Sequence, residues 1–419
     1  MRVALLNDSF PPQIDGVANA VVNYAAVLHA HGQDTVVAVP DVPGAVDDYP
    51  YPVLRYQSMD TTKLFGYRAG NPFSPAAVAT LQDFKPDIIH SHCPVASTLL
   101  ARTLREGTGT PVVFTYHTKF DIDIRTAIRG HLLQNSLITA LVSNIQACDE
   151  VWTVSHGAGE NLRSIGYEGA YTVMENGVDM PRGRASEEDI AQVNALCGLH
   201  DDKPVFLFAG RLRWYKGIRL IIEGLAQAER EGADFHMVFV GDGSDREAIE
   251  TLCRQAGIMD RCVFTGALQD RSLLRACYSR ADLFLFPSTF DTNGIVVREA
   301  AACGLGALLV AGSCAAEGVT DGRNGLLMAE NAESLCAQVL FACQHREEVR
   351  RIGERAQAEL YLSWKEAVSR AEKRYQEIIE AKRCTPVKPR RDVFPFLSDV
   401  IEAMIRLREG QKKIQDMLK

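Results

Sequence analysis

Several features that would place a chain quickly are missing from these 419 residues. None of the 11 cysteines is spaced Cys-x-x-Cys, which excludes a zinc ribbon and a thioredoxin-like redox site. An odd, scattered set in a chain this long fits reduced thiols in the cytosol. An excess of positive charge is also missing: 45 Lys and Arg face 53 Asp and Glu, a formal charge of -8, so a protein that coats nucleic acid is not expected. No long apolar run is present. The run from Val3 to Leu6 is too short for a signal peptide and ends in Asn7 and Asp8. The stretch from Ala300 to Ala316 is broken by Gly304, Gly306 and Gly312 and reads as a buried helix, turn and strand rather than a membrane span. There is no repeat of 20–50 residues. The dinucleotide fingerprint is absent too, since Gly241-Asp242-Gly243 lacks its third glycine and position 246 is Arg. With 47% hydrophobic and 23% charged residues, the composition excludes disordered, collagen-like and small disulfide-scaffold chains.

What the chain does have is an alternation of short apolar runs with helix-like segments. Val3–Leu6, Thr35–Val39, Asp87–Ile89, Val112–Thr115, Val151–Val154 and Tyr171–Met174 read as strands. The series resumes with Val205–Ala209, Met237–Val240, Cys262–Phe264, Leu283–Phe286 and Ala307–Val310. Runs that are apolar throughout suit parallel strands covered on both faces. Strand–helix alternation predicts a doubly wound α/β sheet, and here the pattern occurs twice. The rhythm breaks between Pro181 and Lys203, where a polar segment precedes a short helix expected over Ile190–Leu196. From Trp364 the pattern is helical through about Ala381, and Pro386 and Pro389 then interrupt it. Phe394–Lys419 reads as an amphipathic helix, with ten basic and five acidic residues from Lys382 onward. Such a helix can lie on an anionic membrane surface. Docking on the protein or on a second subunit is the commoner fate.

Four segments carry chemistry. Gly210-Arg211-Leu212-Arg213-Trp214-Tyr215-Lys216-Gly217 follows a strand and opens a helix near Ile218. Glycine permits a sharp turn and close approach to a ligand, the helix start offers amides to an anion, and Arg211 and Lys216 add two positive charges at a strand's carboxyl end, where such sheets bind ligands. A diphosphate satisfies all of these; the plain alternative is a surface loop with two solvated cations. In Ser288 to Ala300, Asp291 stands at a strand end, Asn293 and Gly294 can present amides, and Glu299 lies one to two turns into the next helix. Two carboxylates there suit sugar hydroxyls; alternatively Asp291 caps the helix and Glu299 sits on a solvated face. Asn7 to Val17 brings Gly16 to a helix start after the first strand. His117, in Tyr116-His117-Thr118, lies just past another strand. His90 and His92 form a His-x-His pair, but no carboxylate or cysteine at fitting spacing completes a metal site.

Taken together, these segments resemble the retaining glycosyltransferases of the GT-B fold, family four, over about residues 1–382. The resemblance rests on Pro11-Pro12…Asp15-Gly16-Val17, Tyr116-His117-Thr118, Asn176-Gly177-Val178-Asp179, Gly210-Arg211-Leu212…Lys216-Gly217, Asp291…Glu299, Asn324-Gly325-Leu326-Leu327 and Ser363-Trp364. It implies two Rossmann-like doubly wound domains facing each other across a cleft. Residues 1–180 would bind the acceptor and 181–363 the nucleotide sugar. A helix at 364–382 would return to the first domain, and a basic tail would occupy 383–419.

It also implies roles. Arg211 and Lys216 would neutralise the donor diphosphate, and the Gly16 backbone would approach it. Glu299 would take the ribose hydroxyls and Asp291 the donor sugar. His117 would stand near the reacting sugar, and Asn293, Gly294 and Ile295 would form the loop beneath sugar and phosphates. No cofactor or dedicated metal is implied. Two departures stand out. Asp occupies position 291 where the family usually has Glu, and Gly304-Leu305-Gly306-Ala307 lacks the usual proline.

Asp291-Thr292-Asn293-Gly294 is similar to the Glu-Thr-Gln-Gly of diacylglycerol glucosyltransferases, and the Gln13-Ile14-Asp15-Gly16-Val17 loop recurs there and in lipid-directed mannosyltransferases. The expectation is therefore a retaining hexosyltransferase, with UDP-glucose as the favoured donor and a lipid such as diacylglycerol as acceptor. It would be cytoplasmic and peripheral on the inner face of the plasma membrane. Against the lipid, residues 1–180 carry 11 basic and 18 acidic side chains. The rivals are a nucleotide-sugar epimerase of the same fold and a non-catalytic nucleotide-sugar-binding subunit.

Overall fold

A computed structural model describes residues 1–13, 15–62, 68–128, 130–199 and 203–384. The amphipathic helix expected over Phe394–Lys419 lies outside the described residues.

The chain divides into two compact units. Among the described residues, unit 1 takes those of 1–153, 159–173 and 371–384; unit 2 takes Val154–Ala158 and those of 174–370. In unit 1, β1 (Arg2–Leu6), β2 (Asp34–Pro40), β3 (Val53–Tyr56), β6 (Ile88–Ser91), β7 (Val112–Tyr116), β8 (Glu150–Thr153) and β9 (Thr172–Val173) form one sheet in the order β3-β2-β1-β6-β7-β8-β9. Every pairing in it is parallel. β4 (Ser58–Met59) and β5 (Ala69–Gly70) make a separate antiparallel pair. In unit 2, β10 (Val205–Ala209), β11 (His236–Val240), β12 (Cys262–Gly266), β13 (Leu283–Phe286), β14 (Ala307–Val310) and β15 (Leu326–Met328) run β12-β11-β10-β13-β14-β15, again all parallel.

Both sheets therefore reverse their winding once, between β1 and β6 and between β10 and β13. In open α/β sheets, ligands bind beyond the carboxyl ends of the strands at this reversal. The central strands are buried along their whole length, Val-Phe-Leu-Phe-Ala in β10 and Leu-Phe-Leu-Phe in β13, because helices cover both faces. Phe208 is fully buried, with its ring 6.1 Å from those of Phe239 and Phe286. Truncating a phenylalanine so placed costs about 3–5 kcal/mol.

Each expected strand is present within a residue or two, and four of the strands among the described residues were missed. β3 has four residues of which only the last is buried, β15 has three residues, and the β4–β5 pair has two residues per strand. The helix expected over Ile190–Leu196 spans Glu187–Cys197. Its polar lead-in is helix chemistry rather than linker: Ser186 caps it through Asp189 N–H (3.1 Å), and Glu187, Glu188 and Asp189 form an acidic first turn, which favours the dipole. The helix Trp364–Cys384 passes into unit 1 at Ala371. There Tyr375 stacks on Trp152 at 5.3 Å, and Arg374 grips Glu150 with two hydrogen bonds of 2.8 and 2.6 Å.

Candidate functional site

In unit 2 the loop leaving β10 is shaped by its neighbours. Gly210 has φ 149°, and its amide donates to Val240 O at 2.9 Å. A Cβ on Gly241 would fall 1.9 Å from Gly210 O, and one on Gly243 2.3 Å from Leu212 O. The Gly241-Asp242-Gly243 fragment is thus a brace that lets the β11 loop lie against the β10 loop. Asp245 finishes the brace by accepting from Trp214 N–H at 3.0 Å. Trp214–Lys216 makes one 3-10 turn, and Gly217 (φ 76°) opens the helix Ile218–Arg230. Among the described residues no side-chain cap bond is made at that helix start, which leaves it open to an anionic ligand. A Cβ on Gly217 would lie 2.3 Å from Pro287 O. The loop after β10 and the loop after β13 therefore touch at a point where only glycine fits.

Across that contact Lys216 Nζ meets Asp291 Oδ1 at 2.5 Å, and Ser288 Oγ donates to Asp291 Oδ2 at 2.5 Å. Asp291 is thus engaged by side chains and does not cap the helix Ile295–Ala302. Gly294, left-handed at φ 57°, occupies the cap position, and among the described residues no side-chain cap bond is made there. Ile295 supplies its first residue. The side-chain nitrogen of Asn293 is buried without a hydrogen-bond partner among the described residues. It lines a small polar pocket with Ser155, Glu175, Arg298 and Glu317. Ser155 Oγ donates to Thr292 O at 2.5 Å, and Glu317 accepts from the amides of His156 (2.7 Å) and Gly157 (2.5 Å). The loop carrying residues 291–294 is thereby held from behind.

Glu299 is not on a solvated face. It is 8% exposed, with Arg271 Nη2 donating to Oε1 at 2.8 Å and Tyr278 OH donating to Oε2 at 3.2 Å. Burial alone would lower the Arg271 pKa, but the charge and hydrogen bond of Glu299 outweigh it and raise it. Burial, reinforced by Glu299, pushes the Tyr278 hydroxyl well above its ordinary value. Arg211 is exposed and has no ion-pair partner among the described residues. The structure thus joins Lys216 to Asp291 and sets a buried Glu299 in a separate pair with the exposed Arg271.

In unit 1, Gly16 begins the helix Gly16–Ala30, whose cap is Asp15; its carboxylate accepts from Val17 (2.8 Å) and Ala18 (2.7 Å). A Cβ on Gly16 would meet nothing within 4 Å. Beyond β6 and β7 lie His92 and His117, with His92 Nδ1 2.9 Å from His117 Nε2. Burial lowers the pKa of His117 to about 3 and holds those of His90 and His92 well below the ordinary range. Asp8 caps the helix Ala96–Thr108 by accepting from Ala96 (3.1 Å) and Ser97 (2.7 Å). Burial outweighs those bonds and raises its pKa.

Sequence reasoning missed Arg271, Tyr278, Asp245 and the link between His92 and His117. Only the last had a visible signal, the His-x-His spacing, and it was weighed for a metal. Among the described residues no group of three or more His, Cys, Asp or Glu side chains is arranged to hold one.

The model for glycosyl transferases group 1 matches residues 196–359, and that for glycosyltransferase family 4 matches residues 14–182. The chain belongs to the family 4 glycosyltransferases. Among its relatives, the alpha-monoglucosyldiacylglycerol synthase of Streptococcus pneumoniae is 24% identical over 73% of this chain and 70% of its own length. The GDP-mannose-dependent alpha-mannosyltransferase of Corynebacterium glutamicum is 28% identical over 78% of this chain and 76% of its own. The fold matches that of HepE from Anabaena in complex with UDP, with a TM-score of 0.71, 18% identity and coverage of 90% of this chain and 100% of that one. Both units of this glycosyltransferase thus have the doubly wound parallel sheets of the GT-B class.

Proposed function

We propose that this glycosyltransferase moves a hexose, glucose from UDP-glucose in the favoured case, to the hydroxyl of a lipid such as diacylglycerol, with retention at the anomeric carbon. The observation that carries the reading is the junction at the winding reversal of the second sheet, where the Gly210–Gly217 loop delivers Lys216 to Asp291. As the glycosidic bond breaks, negative charge grows on the leaving diphosphate. Lys216, Arg211 and the uncapped helix start at Ile218 would stabilise that charge. Glu299, held in place by Tyr278 and Arg271, would accept from the ribose hydroxyls. Asp291 would face the donor sugar, above the loop of Asn293, Gly294 and Ile295. In unit 1 the reading gives Gly16 to the diphosphate and His117 to the sugar. No metal or cofactor is required by this assignment.

The lipid acceptor is supported by the alpha-monoglucosyldiacylglycerol synthase relatives from Streptococcus pneumoniae and Acholeplasma laidlawii. The nucleotide is supported by the UDP bound in the HepE structure. No helix among the described residues is long and apolar enough to cross a membrane. In this reading the lipid acceptor is met from a peripheral, cytoplasmic position. The deciding experiment incubates the full chain with UDP-glucose, GDP-mannose or UDP-galactose, with and without diacylglycerol vesicles, and analyses the products by mass and anomeric configuration. An α-glucosyl lipid from UDP-glucose is expected. Conversion of donor without acceptor would instead reveal an epimerase, and donor binding without turnover would reveal a non-catalytic subunit.

A further inference from the structure

Three histidines gather at the carboxyl ends of β6 and β7. His90 lies within β6, His92 one residue beyond it, and His117 one residue beyond β7. His90 and His92 are two residues apart on extended chain, so their rings share a face, with centroids 3.9 Å apart. His90 uses both ring nitrogens, Nδ1 with Tyr375 OH at 2.5 Å and Nε2 with Thr115 Oγ1 at 2.7 Å. That fixes its plane and gives His92 a rigid backing. Tyr24 meets both rings edge-on, at 5.5 and 5.3 Å. His92 is fully buried and uses a single nitrogen, Nδ1, which lies 2.9 Å from His117 Nε2; the two rings are within 26° of parallel. His92 Nε2 is buried without a hydrogen-bond partner among the described residues.

Buried this deeply, the rings are neutral near pH 7, so each carries one proton on one nitrogen. Two arrangements make the bond between them. In the first, His117 donates from Nε2, and His92 must keep its proton on Nε2, a buried N–H with nothing to receive it. In the second, His92 donates from Nδ1, and its Nε2 is only a bare lone pair. Orphaned buried donors are rarer in proteins than under-satisfied acceptors, which favours the second.

We propose that His92 is a positioning residue for His117: it donates from Nδ1 to His117 Nε2 and so holds His117 in the tautomer that bears its proton on Nδ1. This rests on the assignment of His117 to the reacting sugar and adds to it the form in which His117 acts. With its basic nitrogen engaged by His92, His117 acts as a neutral ring and not as a general base. The His-x-His spacing then has a purpose other than metal binding, with His90 as the support and His92 as the donor.

The test uses the full chain with 15N-labelled histidine rings. Long-range 1H–15N correlation spectra distinguish the two tautomers, and His117→Gln assigns the signal. The wild type should show His117 protonated on Nδ1 alone. His92→Phe keeps the ring and removes the donor; it should give a mixture of tautomers and lower kcat about tenfold, the cost in rate of one buried hydrogen bond, with donor KM within about twofold. His92→Asn, which offers an amide N–H near the Nδ1 position, should restore both the single tautomer and most of kcat. Protonation of wild-type His117 on Nε2 would overturn the proposal, as would a His92→Phe protein whose His117 signal and kcat are unchanged. Should His92→Phe fail to fold, the wild-type and His92→Asn spectra still decide. If no donor is turned over at all, the functional assignment fails, whereas the spectra continue to judge the pairing of the two rings.

Discussion

Unit 1 and unit 2 both place their candidate residues beyond the carboxyl ends of strands at or next to the winding reversal, yet fill that point with opposite chemistry. In unit 2 the groups are charged, paired and partly open to solvent: Lys216 with Asp291, Arg271 with Glu299. In unit 1 they are uncharged rings buried among aromatics, with His92 joined to His117 and His90 to Tyr375. A doubly wound sheet thus fixes where a ligand is met and leaves open how. Charged groups that exchange partners suit a diphosphate that arrives and departs. A neutral, rigid network suits orienting a sugar without adding charge.

The largest effect should come from the charged side. Lys216→Ala removes the cation proposed for the leaving diphosphate and leaves Asp291 without its charged partner; kcat should fall by about 10²–10³, with the melting temperature measured alongside because both side chains are largely buried. Unchanged turnover of a cognate donor would show that the diphosphate is held elsewhere. Asp291→Asn preserves shape and removes charge, and kcat/KM should fall by about tenfold to a hundredfold, as expected for loss of a charge-assisted hydrogen bond. Asp291→Glu sharpens the point: a side chain longer by one methylene cannot keep both Ser288 and Lys216 at their present distances. Its preference among donor sugars, read from kcat/KM, should therefore change.

Acid should distinguish the two units. A histidine in the unfolded chain takes up a proton near pH 6.5, whereas folded His117 does so only near about 3, and His90 and His92 also well below 6.5. Between those values the unfolded state holds more protons, so stability is full above pH 6.5 and is lost as pH falls. The slope is about 1.4 kcal/mol per pH unit for each histidine that stays neutral in the fold. Asp8 acts in the opposite sense, because its folded pKa is raised. It adds stability as pH falls through that value. Three histidines outweigh one carboxylate over the upper part of the window, so melting temperature should drop between about pH 7 and about pH 5. His117→Gln should weaken that dependence. An unchanged slope would mean that the ring is already solvated.

Much of this was legible in the sequence because the carriers are local. The β10 loop and the stretch from Ser288 to Ala300 each hold their residues within about a dozen positions, and the spacing alone put Lys216 and Asp291 each at a strand end; that the two strands are neighbours came from the fold. Arg271 and Tyr278 were not legible, since they reach Glu299 across 28 and 21 residues and no periodicity marks such a partner. The edge strands β3 and β15 were missed for a related reason: a strand paired on one side only needs neither length nor an unbroken apolar run. Gly241 and Gly243 were visible but were weighed as a fragment of a nucleotide fingerprint, because a close approach of two backbones leaves the same residue as a close approach to phosphate.

Glycine gives the smallest and most discriminating contrast between the units. At Gly217 a Cβ would stand 2.3 Å from Pro287 O and the backbone is left-handed at φ 76°. Gly217→Ala should therefore cost at least the ~1–2 kcal/mol of the backbone conformation, with turnover lost as the two loops part. At Gly16 there is no clash and no positive φ; packing gives no reason for glycine. Gly16→Ala, on a helix start, should leave melting temperature the same or slightly higher, since alanine restricts the unfolded chain. If a phosphate comes to the Gly16 backbone, the added methyl must still raise donor KM. A variant as stable as wild type with a several-fold higher KM would show that this glycine answers to a ligand, whereas an unchanged KM would remove Gly16 from the donor site and leave the diphosphate to unit 2 alone.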